Sequence, residues 1–330
     1  MKMKRLLITG LALAYAVPAG AQTIDPCPIT GTTTEQARRR AAQDACQQAV
    51  DLFQYMVPQL GIALTGGNAT LGQGGALGGL GHFSLGIRAN VLQGNVPQVD
   101  RVSVSTTGRQ QRSNYPTNSQ FLGLPVVDAA IGVFKGIPLG LTNVGGVDLL
   151  LSASYVPKYD ADEVTVDPDS PLKLGYGVRV GAIQESLLLP GVSFTFLKRD
   201  LPKTTITGNA SGASMTVRDL DVETTAWRLV ASKSLVLLNV AAGVGQDRYD
   251  AETSVQGTVV AGSVTSDLIP MSQKLTRTNY FADVSLNFLL AKLTGEIGMV
   301  SGGTVKTYNT FDTAPDKSRL YGSVGLRIGF

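Results

Sequence analysis

The chain has 330 residues, with 28 Lys and Arg against 25 Asp and Glu, 38 Gly and a mean hydropathy of +0.12. After residue 21 no apolar run reaches the ~18 residues that a spanning helix needs, which excludes a helical membrane protein. Three of the basic residues precede residue 21, so the rest of the chain is balanced in charge and predicts no nucleic-acid partner.

Residues 1–21 have the pattern of a secretory signal peptide. Three basic residues precede an apolar run from Leu6 to Val17, and the small residues at 19–21 form a cleavage site. We therefore expect export across the inner membrane, with cleavage near Ala21.

Residues 22–80 are predicted to form a separate N-terminal region. It contains the two cysteines, Cys27 and Cys46, for which a disulfide is expected in an oxidising compartment. A metal site is the alternative, but two ligands without a nearby His do not fill a tetrahedral shell. We predict no metal ion and no cofactor.

The same region predicts one amphipathic helix, from Thr33 to Met56, ended by Pro58. It is expected to dock either against the periplasmic mouth of the following domain or inside its lumen. The glycine-rich stretch Gly66 to Gly81 then serves as a plug or linker.

From residue 81 onward the sequence predicts an all-β domain, residues 81–330, made of short strands in which apolar and polar residues alternate. Residues 95–124 leave the strand number open, because one long loop there gives ten strands and a hidden hairpin gives twelve; about 14 is the upper bound. The predicted strands are His82–Gln93, Val126–Lys135, Gly146–Val156, Pro171–Ile183, Gly191–Arg199, Asp221–Ser232, Leu235–Tyr249, Thr276–Phe288, Ala291–Ser301 and Arg319–Phe330.

The last stretch, Leu320 to Phe330, is apolar on one face, small or polar on the other, and ends on an aromatic residue. By itself it also suits a half-buried strand of a soluble sandwich. Together with the signal peptide, it resembles the final strand of Gram-negative outer-membrane β-barrels. The resemblance implies an antiparallel transmembrane β-barrel in the bacterial outer membrane, in contact with lipid and lipopolysaccharide, with Phe330 as the insertion signal read by the barrel insertion machinery.

The connections between the predicted strands alternate in length over the C-terminal half. Counting back from the last strand, the short connections fall on the periplasmic side and the long ones outside, as in outer-membrane barrels. Four long outer loops are expected there.

Strand parity predicts which charged side chains point into the lumen. Those expected to line it or form a constriction are Arg88, Arg179, Asp283, Glu296, Arg228 and Arg327. Two interpretations remain open: a structural network of paired charges that fills the barrel, or a constriction that selects solutes. The single His, His82, starts the first strand, away from the outer rim, and no catalytic residue or enzymatic activity is predicted.

An N-terminal segment that runs through a glycine-rich stretch into the first strand resembles the outer-membrane transporters of long-chain fatty acids and hydrocarbons. In that family the N-terminal residues form a hatch inside a larger barrel. The resemblance implies a channel or transporter of the cell envelope for small or apolar solutes, with an apolar small-molecule ligand. The alternative is a closed structural or surface-interaction barrel that acts through its long extracellular loops.

Overall fold

The computed structural model describes residues 27, 36–107, 112–161, 164–210, 212–260 and 264–329. The predicted signal peptide and the predicted insertion signal Phe330 lie outside these residues.

Ten long antiparallel strands form the body of the protein. They are β1 (Phe83–Pro97), β2 (Thr117–Phe134), β3 (Gly146–Tyr155), β4 (Leu172–Ile183), β5 (Gly191–Asp200), β6 (Ala213–Leu235), β7 (Leu238–Val259), β8 (Ile269–Phe288), β9 (Ala291–Ser301) and β10 (Arg319–Gly329).

The strands close into a ring. Each pairs with the next along the chain, and the first pairs with the last from Ser84 opposite Gly329 to Leu92 opposite Tyr321. Between β1 and β2 the described residues, 98–107 and 112–116, add no hairpin to the ring; they hold a short 3-10 helix, Val99–Arg101, and a two-residue strand. Of the strand numbers that the sequence left open, the ring therefore has ten.

Alternate side chains of the ring face outward and are apolar. On β1, Leu85 and Ile87 are 44% and 61% exposed, while Ser84 before them and Arg88 after them point inward and are buried. An apolar outer wall on a ring without unpaired strand edges suits hydrocarbon, where unsatisfied backbone groups are not tolerated. The fold is a transmembrane β-barrel of the outer-membrane type.

No helix in the described part of the chain is both long and apolar enough to span a bilayer.

The two ends of the ring differ in their connections. One end, here called the turn end, carries residues 135–145, 184–190, 236–237 and 289–290. The other, the loop end, carries residues 98–116, 156–171, 201–212, 260–268 and 302–318. In outer-membrane barrels the shorter connections face the periplasm and the longer ones the outside.

At the loop end β6, β7 and β8 continue well beyond their predicted limits. A bulge in β6 at Asp219, whose φ is +51°, shifts its register against β7. Since a bulge moves the following side chains to the opposite face, Met215 and Val217 point inward above the bulge just as Val222 does below it. Short strands at Thr204–Ala210, Val164–Pro168 and Tyr159–Asp160 extend this wall sideways.

The N-terminal helix α1 (Gln36–Thr65) lies inside the ring, with its first turns at the loop end and its last turn in the middle of the lumen. Ala45 and Cys46 press on Gly257 of β7 so closely that a Cβ there would overlap them. Cys46 also forms the disulfide with Cys27. Of the two places open from the sequence, the helix occupies the lumen and not the periplasmic mouth, because the lumen offers an apolar wall on several strands.

The helix continues past Pro58, where the sequence predicted its end. Proline cannot donate to the carbonyl four residues earlier, which usually breaks a helix. Here the carbonyl of Gln54 instead accepts a hydrogen bond from Gln273 Nε2 of β8, at 3.3 Å. A partner from the wall thus replaces the missing helical bond.

One long loop of the loop end, residues 302–318, is tied to α1 through Asp51. The buried carboxylate of Asp51 accepts the main-chain N–H groups of Tyr308 and Asn309, at 2.8 and 2.9 Å, and Asn309 Nδ2 at 2.7 Å. One turn further along the helix, the ring of Tyr55 stacks on Phe311 of the same loop, with 4.2 Å between centroids. The loop is therefore folded down onto the helix.

The stability of the folded protein is expected to depend on pH through Asp51. Burial raises the pKa of Asp51 from 3.8 to about 6, although the hydrogen bonds from the loop lower it, so the folded protein binds a proton more tightly than the unfolded chain does. The contribution of Asp51 to the free energy of unfolding is then fully present below about pH 4 and is lost as the pH rises through 6, by about 3 kcal/mol. Urea unfolding of the refolded protein in detergent between about pH 4 and pH 8, compared with that of an Asp51→Asn variant, measures this change.

The variant Asp51→Asn should abolish the pH dependence, whereas Asp100→Asn, which changes an exposed carboxylate at the same end, should keep it. Equal pH profiles for wild type and Asp51→Asn would contradict the assignment.

Candidate functional site

Helix α1 ends in the middle of the barrel, where its last residues are buried. Gly66, at φ +58°, closes the helix by donating its N–H to Ile62 O at 3.1 Å. The carbonyl groups that follow have no further turn to bind, and they form the negative end of the helix dipole. They therefore need donors from the wall.

Three buried arginines of the wall supply those donors. Arg199 Nη1 binds Thr65 O at 2.8 Å, Arg228 Nη2 binds Gly66 O at 3.1 Å, and Arg228 Nε binds Gly67 O at 2.8 Å. Arg88 Nη1 binds the next carbonyl, that of Asn68, at 2.7 Å. Charged donors at a helix C-terminus are favourable both as hydrogen bonds and towards the dipole.

Two carboxylates of the wall accept hydrogen bonds from the same part of the chain to which the arginines donate. Glu296 of β9 accepts the N–H groups of Gly67 and Asn68 at 3.1 and 2.7 Å. Asp283 of β8 accepts the side-chain amide of Asn68 at 2.9 Å. We call Arg88, Arg199, Arg228 and Glu296 the lumen clamp.

The arginines of the lumen clamp have their own counter-charges in the wall. Asp128 lies between two of them, 2.8 Å from Arg88 and 2.7 Å from Arg199, and Asp247 lies 2.6 Å from Arg228. Charges this deeply buried are stable only when they are paired. Both members of each pair are wall residues, so the pairs do not depend on the segment inside the lumen.

Below the lumen clamp the chain runs as residues 66–80, the plug segment, towards the turn end. The wall binds it mainly through its main chain: Asn239 Nδ2 donates to Gly72 O at 2.8 Å, and Gly74 N donates to Ser232 Oγ at 2.9 Å. Leu77 N donates to Asp148, which is itself paired with Arg179 at 2.8 Å. A segment bound by its backbone in a narrow lumen needs few side chains, which explains its glycine content.

The six sequence-predicted lumen residues separate into three places. Four of them, Arg88, Arg228, Asp283 and Glu296, meet around residues 66–68. Arg179 lies lower, with Asp148, and Arg327 lies at the turn end, where its Nη1 donates to Gln73 Oε1 at 2.6 Å.

Sequence analysis missed Arg199 and Asp247. Both lie on the lumen-facing side of their predicted strands. Arg199 is two residues beyond the buried Leu197 and Asp247 is eight residues beyond the buried Asn239, and an even spacing keeps a side chain on the same face. Extending the alternation to the end of each strand would have included them.

The lumen is filled at the level of the lumen clamp. A cavity of about 20 Å³ beside Arg88 and Asp128 has room for about one water molecule. A larger cavity, of about 270 Å³, lies at the turn end. His82 is also at the turn end, where its main-chain N–H donates to Gly79 O. Among the described residues, no group of three or more His, Cys, Asp or Glu is placed to hold a metal ion.

No family model matches the sequence, and no curated protein matches it. Solved structures with a similar fold include Ail, the attachment invasion locus protein of Yersinia pestis, at 9% identity and a TM-score of 0.25 over 76% of this chain and 99% of that one. The deltaS2S3 mutant of the monoaromatic hydrocarbon channel TodX is 8% identical, with a TM-score of 0.30 over 75% and 67% of the two chains. OmpT, an outer membrane protein of Vibrio cholerae, is 9% identical, with a TM-score of 0.20 over 75% and 96%. At these scores no shared function follows, and the assignment to the outer-membrane barrels rests on the closed strand pairing and the apolar outer wall.

The pairing of Arg228 with Asp247 can be tested by unfolding. Arg228→Met removes two bonds to the plug segment and leaves a buried carboxylate without its cation, so we expect a loss of about 3–5 kcal/mol in the free energy of unfolding. Adding Asp247→Asn should recover more than half of that loss. Urea unfolding of the refolded protein in detergent measures both.

Arg218→Met is the matched control, because the exposed side chain of Arg218 donates to the neutral Gln256 and has no carboxylate within 4.0 Å among the described residues, and its effect should stay below about 0.5 kcal/mol. A double variant no more stable than Arg228→Met would contradict the assignment of the cost to the unpaired carboxylate.

Proposed function

We propose that the protein is an outer-membrane channel for small or apolar solutes that is closed, in the described state, by its own residues 36–80. The observation that supports this proposal is that the segment fills the lumen without being part of the wall. All ten strand pairings of the ring are made between wall strands, and the three arginines that bind the segment already have carboxylate partners in the wall.

The plug segment is the part whose movement would open a path. Its contacts are separate hydrogen bonds to polar wall groups such as Ser232, Asn239 and Asp148, which water could replace at a net cost of about 1 kcal/mol each. Helix α1 is held differently, by a buried apolar core that includes Phe53, Val57 and Met271. Displacement therefore begins below the lumen clamp, and α1 moves second.

An open lumen would be charged and narrow. Without the segment, Arg88, Arg228 and Glu296 would face water from three sides of a ten-stranded ring. Rings of charge at a constriction select solutes by sign and size. The lumen clamp would then hold the plug segment in the closed state and select solutes in the open state.

A second candidate function is a closed barrel that acts through its loop end. The core shared by α1 and the raised wall of β6 to β8 supports it, because it makes the loop end a folded surface and not a set of free loops. Such a surface would bind a partner without any movement in the lumen.

Single-channel conductance in planar bilayers separates the two functions. The full chain should be closed for most of the recording, a variant lacking residues 22–80 should show large and continuous conductance, and Glu296→Gln should show brief openings because it gives up one acceptor of the lumen clamp. Glu223→Gln, which removes an exposed carboxylate paired with Lys198, is the control and should behave as wild type.

Silence from all variants, with each still folded by its heat-dependent migration on denaturing gels, would reject the channel and leave the loop-end function. If the deletion variant fails to fold, Glu296→Gln alone decides between the two outcomes.

A further inference from the structure

The turn end contains a cavity of about 270 Å³ that the plug segment lines but does not fill, and that lies apart from the lumen clamp. It lies between the plug segment and the connection from β8 to β9. Its walls combine three kinds of groups: cations, unpaired amide oxygens and exposed apolar side chains.

The cations are Lys292 of β9 and Arg327 of β10, which stand directly opposite each other across the two strands. Like charges in this position destabilise a sheet. Within the described residues no carboxylate lies within 4.0 Å of either cation; Arg327 donates to the neutral Gln73, the side chain of Lys292 makes no hydrogen bond, and Asp283 and Glu185 act on the two cations electrostatically without direct contact. An anion between them would remove the repulsion.

Two buried amide oxygens at the cavity have no hydrogen-bond partner among the described residues. Asn239 is 3% exposed, and its Nδ2 binds Gly72 O while its Oδ1, beside the cavity, has no partner. Asn287 Oδ1 is likewise buried without a partner, and Glu185 adds a carboxylate to the same cavity. Acceptors would repel a bare anion, but they suit a group that joins a phosphate to an ammonium or hydroxyl.

Apolar side chains lie at the rim of the cavity. Phe83 lies on the outward face of β1 and is 41% exposed, and Leu289 and Leu290 form an exposed turn at the rim. The neighbouring turn tips are apolar as well, at Leu187, Leu188, Val236 and Leu237. The apolar outer wall thus continues over the turn end to the edge of the cavity.

We propose that this cavity binds the headgroup of a phospholipid from the membrane leaflet at the turn end. The phosphate lies between Lys292 and Arg327, the amino or hydroxyl group of the headgroup donates to Asn239 and Asn287, and the acyl chains lie over Phe83. The site is separate from the lumen clamp and does not depend on transport.

Lipid binding by the refolded full chain tests the proposal. In a non-ionic detergent, native mass spectrometry with short-chain phosphatidylethanolamine should show a bound lipid with a Kd at least tenfold weaker in Lys292→Gln. Lys292→Arg should stay within threefold of wild type, and so should Lys274→Gln, which removes an exposed cation at the loop end. Asn287→Leu, which removes one acceptor, should also weaken binding.

Equal binding by wild type, Lys292→Gln and Asn287→Leu would overturn the proposal. So would full competition by millimolar inorganic phosphate, since that would make the site one for free phosphate.

The melting temperature tests the proposal independently, because lipid should reverse the order of stability between wild type and Lys292→Gln. Without lipid, Lys292→Gln relieves the repulsion between the two cations and should melt at a higher temperature than wild type. With phosphatidylethanolamine the order should be reversed, because wild type gains the ligand. A Lys292→Gln protein that is less stable than wild type without lipid would show that the cations are already satisfied, and would overturn the proposal.

Discussion

A helix that ends inside a barrel exposes carbonyl groups where water cannot reach them, and in this protein three buried arginines bind those groups. Arg199, Arg228 and Arg88 take the carbonyls of residues 65–68, while Glu296 takes the N–H groups of the same turn. Each arginine would itself be costly in a desolvated lumen, and Asp128 and Asp247 compensate for that cost. The position of the helix, the charge of the wall and the path of the following segment therefore depend on one another.

The lumen clamp divides the contents of the lumen into two parts that are held by different forces. Above it, α1 is packed in an apolar core with the raised strands, and the loop of residues 302–318 is bound to it through Asp51. Below it, the plug segment is bound by single polar contacts to its main chain. Burial of apolar surface resists displacement collectively, whereas isolated hydrogen bonds exchange with water one at a time. The lower part is therefore the one suited to move.

The two ends of the barrel also differ chemically. The loop end is a folded structure in which strands, loops and helix share one core. The turn end is short and carries exposed leucines at its turns, next to a cavity with two opposed cations. A surface that is apolar outside and cationic within matches the layered chemistry of a phospholipid leaflet. The barrel thus presents a protein surface at one end and a lipid-compatible surface at the other.

Local pattern in the sequence predicted each of the ten ring strands but left open whether residues 95–124 add two more. It also predicted the alternation of short and long connections and the inward direction of Arg88, Arg228 and Glu296, because side chains alternate with a period of two along any strand. Tertiary structure alone decided which charges meet, since that depends on the register between strands distant in the chain. It also carried α1 past Pro58, because the replacement donor, Gln273, lies more than two hundred residues away. The bulge at Asp219 reversed the parity of upper β6 for the same reason: the helix that Met215 faces exists there only once the ring has closed around it.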